Sequence, residues 1–107
     1  MRESYARALP KQWRRNAQVF MTLGEEHRQR ILLMFEPGEK LSISAIVAAS
    51  PLSRSAVAHH LAVMRAAGVL RAERAGRQTL YAPDPHAVRV ALDAVRDYLD
   101  TNFPVAD

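Results

Sequence analysis

Apolar positions recur three or four residues apart in several stretches of the chain, and proline or glycine separates these stretches. Residues at this spacing lie on one face of a helix, so each stretch predicts an amphipathic α-helix. The separating pairs, among them Pro37-Gly38 and Ser50-Pro51, are typical of turns. The predicted helices cover residues 11–23, 25–36, 44–49, 53–67 and 84–100.

The first and last of these helices carry the widest apolar faces. Their apolar side chains are Trp13, Ala17, Phe20 and Leu23 on the first helix and Val88, Ala91 or Leu92, Val95, Tyr98 and Leu99 on the last. A chain of 107 residues buries only part of its apolar surface, so one copy would struggle to cover both faces. We therefore predict a homodimer that is joined through these two helices.

The stretch between residues 44 and 67 has the pattern of a helix-turn-helix. Ser50-Pro51-Leu52 predicts a tight turn, and Ser53 is a predicted N-cap because its hydroxyl can accept a hydrogen bond from an unpaired backbone N–H. Apolar residues occupy one face of the second helix, and mostly polar residues occupy the other. The apolar set is Val57, Leu61 and Met64, and the opposite set is Arg54, Ser55, Ala58, His59, Ala62 and Arg65. Two helices joined by a short turn form a DNA-binding motif.

A short β-hairpin is predicted directly after this motif. Two extended runs, residues 69–74 and 78–81, flank Ala75-Gly76-Arg77, where glycine favours a tight turn. A hairpin at this place is the wing of a winged helix. The predicted fold class is mainly α with a small β-hairpin, a single winged helix-turn-helix domain with five helices over residues 1–107. Within it, residues 1–10 are an N-terminal extension and residues 84–100 are the dimerisation helix.

The charge is distributed unevenly along the chain. Residues 1–83 contain 13 basic and six acidic side chains, whereas residues 84–107 contain two Arg and five Asp. A basic body favours a polyanionic partner, and by itself the charge fits nucleic acid or an anionic membrane about equally. Because the predicted winged helix contains a DNA-binding motif, we predict double-stranded DNA as the partner.

Several classes of protein are disfavoured by what the sequence lacks. Cysteine is absent, which excludes disulfides, thiolate metal sites and a cysteine nucleophile. No apolar run approaches the roughly 18–20 residues of a membrane span, and the first residues lack the apolar core of a secretory signal. There is no glycine-rich phosphate loop and no nucleophile motif. We expect a cytoplasmic protein that is not an enzyme and has no membrane partner.

The order and spacing of these pieces resemble the ArsR/SmtB family of bacterial winged-helix repressors over residues 20–100. The segment 20–24 with Arg28 resembles the family's first helix junction, residues 52–70 resemble its recognition helix and strand entry, and residues 74–81 resemble its wing. The resemblance implies a homodimer that holds two recognition helices against successive major grooves of an inverted-repeat operator. It also implies an effector that releases DNA, and the identity of that effector is unknown.

Candidate DNA contacts come from the recognition helix and the wing. The guanidinium fork of Arg54 matches the two acceptors on a guanine edge, whereas Arg74 and Arg77 suit phosphates or the minor groove. His60 borders the buried face and is expected to pack there or to bind the backbone. The full predicted DNA-binding set is Ser53, Arg54, Ser55, His59, Arg74, Arg77 and Gln78. The alternative is that the same fold is a protein-interaction module without sequence-specific DNA binding.

The sequence departs from the family at its metal sites. Ser42 and Ser44 stand where many metal-sensing members have cysteines, and hydroxyls are poor ligands for soft metals. The second family site corresponds to Asp84, His86, Asp97 and Asp100, which only two antiparallel copies of the last helix could bring together. One nitrogen and three carboxylates are an unusual set for zinc. We therefore expect no cofactor and no metal control, with a divalent metal between two chains as the alternative.

Overall fold

The computed structural model describes residues 1–106 and places five α-helices and three strands in this part of the chain. A short 3₁₀ helix, Glu3–Ala6, precedes them. The α-helices are α1 (Lys11–Leu23), α2 (Glu26–Met34), α3 (Ile43–Ala49), α4 (Arg54–Ala66) and α5 (Pro85–Asn102). The strands are β1 (Leu41–Ser42), β2 (Leu70–Ala75) and β3 (Gln78–Pro83). The five predicted helices are confirmed, with ends that differ by one or two residues.

Four of the α-helices begin at a side chain that caps the helix. Ser53 Oγ accepts a hydrogen bond from the backbone N–H of Ala56 at 3.2 Å, and Asp84 Oδ1 accepts one from His86 N–H at 3.1 Å. Ser42 caps α3 and Glu25 caps α2 in the same way. Each cap satisfies one of the N–H groups that a helix leaves unpaired in its first turn. The predicted N-caps of the recognition helix and the last helix are thus confirmed.

The sheet has one strand more than the predicted hairpin. Its strand order is β1-β3-β2, all antiparallel, because Leu41 pairs with Tyr81 on the outer edge of β3. The hairpin loop is two residues long, since Ala75 pairs with Gln78. Gly76 has a φ of +63° at the first loop position, which glycine adopts without steric cost. The wing is therefore longer than predicted and is attached through β1 to the start of α3.

The core lies under the inner face of α4. Val57, Leu61 and Met64 are fully buried there, together with Ile46 of α3. The chain leaves α4 through Gly68, whose φ is +79°, and the Val69 N–H donates to Met64 O at 2.9 Å. This is the hydrogen bond of a Schellman motif, which ends the helix and directs the chain into β2. The predicted inner face of the recognition helix is confirmed.

The apolar face of α1 is only partly covered. The buried residues of this helix are Asn16, Val19 and Thr22, whereas Trp13 is half-buried and Phe20 is 36% exposed. Thr22 is compatible with burial because its hydroxyl donates to Gln18 O at 2.8 Å. The helix therefore packs on the rest of the chain with one side and leaves a neighbouring apolar side open.

Candidate nucleic-acid interface

The outward face of α4 is exposed and polar. Ser53, Arg54, Ser55 and His59 are all exposed on this element or at its cap. Arg54 Nη1 donates to Ser44 Oγ of α3 at 3.3 Å. A guanidinium has five N–H donors, so this contact orients the side chain and leaves the other donors for a base edge or a phosphate. The two helices of the motif thus cooperate in positioning Arg54.

The wing presents a second group of exposed side chains. Arg74, Arg77 and Gln78 are exposed around the loop of the hairpin. Within the described residues, neither arginine has a side-chain hydrogen bond or an ion pair. Both guanidinium groups are therefore available for an anionic partner. Arg71, also basic, differs from them because its Nη1 donates to Pro83 O of the neighbouring strand at 3.1 Å.

An ion pair attaches the wing to the segment before β1. Lys40 Nζ lies 2.6 Å from Glu73 Oε1 of β2. The hydrogen bond and the positive charge of Lys40 lower the pKa of the Glu73 carboxyl. The pair neutralises the single acidic side chain of the wing strands, so the exposed charge of the wing that remains is positive. Both partners are partly exposed, and the contribution to stability is small.

A cluster of histidine and charged side chains lies where α2 meets α4. Arg28 Nε donates to His60 Nδ1 at 3.2 Å, and the rings of His27 and His59 each lie 5.9 Å from the ring of His60. Because Arg28 is a donor at any ordinary pH, this contact requires a His60 nitrogen that carries no proton. His60 is half-buried and packs against neighbouring rings, as one of the two expectations had it, and its hydrogen bond comes from a side chain of another helix instead of the backbone.

The surroundings of His60 favour its neutral form. Burial lowers the pKa of His60 below its usual value of 6.5, and the positive charges of Arg28, His59 and His27 act in the same direction. The carboxylate of Glu25 opposes them. Burial raises the pKa of Glu25 itself, but its hydrogen bond from the Arg28 backbone and the charges of His27 and His60 leave it lowered. The surroundings of His60 therefore favour the neutral imidazole that accepts the hydrogen bond from Arg28.

The four residues of the last-helix metal pattern do not form a site within one chain. His86, Asp97 and Asp100 are exposed, and Asp84 Oδ1 is already the N-cap acceptor. Eleven residues of helix separate His86 from Asp97, which is about 16 Å at 1.5 Å per residue. No three histidine or acidic side chains among residues 1–106 are arranged to hold an ion. A site made of these four residues would therefore need two copies of the chain.

A groove between α1 and α5 exposes apolar side chains on the remaining side of the molecule. Phe20, Leu92 and Leu99 line it, and Leu92 and Leu99 are 56% and 48% exposed. Its rim has both signs of charge, with Arg89 and Arg96 beside Asp93 and Asp100. We refer to this surface, with its apolar floor and charged rim, as the α1–α5 groove.

Comparison with protein families and solved structures agrees with this geometry. Residues 25–72 match the family described as bacterial regulatory protein, arsR family. This segment is therefore similar to ArsR-family regulatory proteins. It begins at the cap of α2, includes the whole recognition helix and ends in the first strand of the wing. A comparison with curated proteins finds no match.

Solved structures extend the likeness beyond this segment. The ArsR-like transcriptional regulator from Rhodococcus sp. RHA1 has 26% identity and a TM-score of 0.73, over 80% of each chain. HlyU from Vibrio cholerae has 21% identity and a TM-score of 0.66, over 84% of this chain and 97% of its own. A homodimeric winged helix-turn-helix DNA-binding domain from Mycobacterium bovis, a possible ArsR-family regulator, has 17% identity and a TM-score of 0.64, over 99% and 93%. The chain has the fold of an ArsR-family transcriptional regulator.

Contacts between distant residues were not foreseen from the sequence. The pairs Arg54 with Ser44, Lys40 with Glu73, and Arg28 with His60 join residues that are 10 to 33 positions apart. Polar residues of opposite or complementary type occur throughout the chain, so nothing in the spacing marks these as partners. The sequence gives one weak signal for Arg28, because this residue lies in the segment that resembles the family's first helix junction.

Proposed function

We propose that the protein is a transcriptional repressor that binds an inverted-repeat DNA operator as a homodimer in the cytoplasm. The observation that carries the proposal is the contrast between the two faces of α4. Its inner residues Val57, Leu61 and Met64 are fully buried, whereas Arg54 and His59 project from the opposite face. The core therefore holds the inner face of the helix, and the outer face is open to solvent, as major-groove binding requires.

The wing supports the same mode of binding. Arg74 and Arg77 are exposed at the loop of a hairpin that β1 and the Lys40–Glu73 pair attach to the domain. Exposed arginines at such a place suit phosphates or a narrow minor groove beside the site that the helix reads. Ser53, Ser55 and Gln78 complete the proposed surface with short polar side chains that can contact the backbone or base edges.

The α1–α5 groove supports the dimer. Apolar side chains at Phe20, Leu92 and Leu99 gain most when they are removed from water, and a second copy offers the same surface. The mixed charges on the rim allow each acidic residue to face a basic residue of the partner. A two-fold dimer would place two recognition helices about one turn of DNA apart, roughly 34 Å, which fixes the inverted repeat.

The test compares two arginines that have different proposed roles. Sites are selected from random duplexes, and affinity is measured over a range of salt concentrations. Arg54→Ala is expected to weaken binding to the selected site by about 1–3 kcal/mol and to relax preference at one base pair. Arg77→Ala is expected to weaken all duplexes similarly and to reduce the salt dependence by about one phosphate contact.

Arg7→Ala is the matched control, since Arg7 is an exposed arginine in the segment before α1 and belongs to neither the recognition helix nor the wing. It removes the same charge and is expected to leave base preference unchanged. Equal affinity of the intact protein for selected and random duplexes would exclude sequence-specific recognition and favour a protein-interaction module.

A further inference from the structure

We propose that a pocket between α1, the end of α4 and the first turns of α5 binds a small phosphate-bearing anion. Its volume is about 480 Å³, which is within the range of small-molecule sites in proteins. No residue of the proposed DNA-binding set lines it. We call it the basic pocket, and its polar walls include Gln12, Arg15, Asn16, Gln18, Arg65 and His86.

A buried donor without an acceptor belongs to the wall of this pocket. Asn16 is 2% exposed, and its Oδ1 accepts a hydrogen bond from Gln12 Nε2 at 3.0 Å. The Nδ2 atom of the same amide is buried and has no hydrogen-bond partner among the described residues. Buried polar groups normally have a partner, because an unpaired one loses its hydration without replacement. The pocket therefore favours a ligand that supplies an oxygen acceptor.

The charge of the pocket is positive. Arg15 on α1 and Arg65 in the last turn of α4 line it, and no carboxylate does so among the described residues. Neither guanidinium takes part in the ion pairs found in residues 1–106. Both forks therefore keep donors that match an oxyanion. The positive charge does not depend on the protonation of His86, because both arginines stay charged at any ordinary pH.

The number of donors decides the class of anion. A carboxylate has two oxygens and is matched by a single guanidinium fork. A phosphate monoester has three terminal oxygens and close to two negative charges, so it can bind two arginines and also accept from Asn16 Nδ2. The remaining side chains, among them Val19, Ala66, Ala87 and Val90, are small and apolar and leave room for a short organic group.

The basic pocket lies on a different side of α1 and α5 from the proposed dimer surface. Arg15 is two residues from Trp13 and five from Phe20, which are rotations of about 200° and 140° around the helix. Val90 is likewise about 200° from Leu92. No residue of the α1–α5 groove, and none of the predicted apolar faces of the two helices, lines the pocket. The proposed dimer therefore joins through other side chains.

The pocket connects the recognition helix to α1. One wall contains Arg65 and Gly68, which belong to the last turn of α4 and to the motif that ends it, and another wall is α1. An anion bound between these walls holds the two helices together, which suits an effector of DNA binding. The effector role rests on the proposed function, whereas the binding claim does not. The experiment therefore measures binding without DNA, so that its failure is distinguishable from a failure of DNA recognition.

Glycerol phosphate and glycerol are a matched pair of probes. Each is titrated into the intact protein at constant ionic strength, and the side-chain amide resonances of Asn16 are followed in a proton–nitrogen correlation spectrum. Glycerol phosphate is expected to give a saturable shift. Glycerol is expected to give none, since it has no charge for the arginines. Absence of a saturable shift at millimolar glycerol phosphate would overturn the proposal.

Arg65→Gln and Arg7→Gln form a matched pair of variants. Both remove one positive charge from an exposed arginine, and only Arg65 lines the pocket. Arg65→Gln should reduce the affinity for glycerol phosphate by about tenfold or more, because it removes a charge-assisted hydrogen bond, whereas Arg7→Gln should not change it. Asn16→Asp keeps the shape of the side chain but replaces the donor by an acceptor, so it should abolish binding. Equal effects of the two arginine variants would contradict a defined site.

Two further outcomes would assign the pocket to another partner and overturn the proposal. If a short DNA duplex shifts the Asn16 resonances and glycerol phosphate does not, the two arginines bind the phosphates of the DNA backbone. If the affinity for glycerol phosphate falls as the protein concentration rises, a second copy of the chain covers the pocket. The expected result is an affinity that is independent of protein concentration.

Discussion

Two leucines on helices with similar apolar patterns have opposite environments. Leu61 on α4 is fully buried, whereas Leu99 on α5 is 48% exposed. The reason is the number of neighbours that each helix has in the fold. α4 packs against α2, α3 and β2, but α5 packs mainly against α1 alone. An apolar stripe thus predicts that a face will be covered, and the tertiary structure decides whether the same chain covers it.

The largest expected effect is a loss of stability at Leu61, the buried leucine of this comparison. Leu61→Ala should lower the free energy of unfolding by about 2–5 kcal/mol, because it removes buried methyl groups and leaves a cavity under the recognition helix. Urea unfolding followed by circular dichroism measures it. Leu33→Ala is the control, since Leu33 is 82% exposed on α2 and should change stability by less than about 0.5 kcal/mol. Equal effects of the two variants would contradict the buried position of Leu61.

The second-largest expected effect is on the assembly state and concerns Leu99, the exposed leucine of this comparison. Leu99→Asp should dissociate the homodimer, because it places a carboxylate in an apolar interface at an unfavourable desolvation cost. Sedimentation velocity at micromolar concentration measures the assembly state, and Leu33→Asp is the matched control outside the α1–α5 groove. If the intact chain sediments as a stable monomer, the proposed dimer and its two-half-site operator are both wrong.

A smaller expected effect is a pH dependence of stability that arises at His60 on α4 and not on α5. Because the pKa of His60 is lowered in the folded state, unfolding takes up protons below about pH 6.5, so stability should fall as the pH falls through this range. The loss at this partly exposed group should be a few tenths of a kcal/mol after screening by solvent. Glu25, with a pKa below its usual value of 4.5, adds a loss only at lower pH.

His60→Asn tests this assignment. The Oδ1 atom of asparagine occupies nearly the position of Nδ1, so it can still accept from Arg28 but does not titrate. Thermal unfolding of the variant should be less dependent on pH between about 7 and 5 than that of the intact protein. His86→Asn on α5, where the imidazole is exposed, is the control and should retain the dependence. An unchanged slope in His60→Asn would assign the pH response to other groups.

The smallest expected effect concerns metal ions on the α5 side. Zinc, nickel and manganese are titrated into the protein–DNA complex, and DNA affinity should stay unchanged, because the available donors are one imidazole and exposed or capping carboxylates. A metal that lowers DNA affinity tenfold, about 1.4 kcal/mol of coupling, but has no effect on His86→Ala would contradict this and establish a metal site between two chains.

The local elements of the fold were predictable because their causes are local. Ser53 and Asp84 cap helices through hydrogen bonds to residues two or three positions ahead, and Gly76 permits the two-residue loop of the wing. The inner face of α4 followed from the helical spacing of its apolar residues. The same local signals identified Arg54, Arg74 and Arg77 as exposed, although their contact with DNA stays a prediction.

The tertiary structure decided which residues that are far apart in the chain contact each other. The sequence does not indicate that Leu41 joins β3 as a third strand, that Ser44 orients Arg54, or that Arg28 binds His60. It also does not show that Arg2 donates a hydrogen bond to Asn102 at the other end of the chain. Such contacts depend on how the helices pack in three dimensions, and many alternative partners of the same residue types are available along the chain. Periodicity and capping determine each element, whereas packing determines which side chains meet.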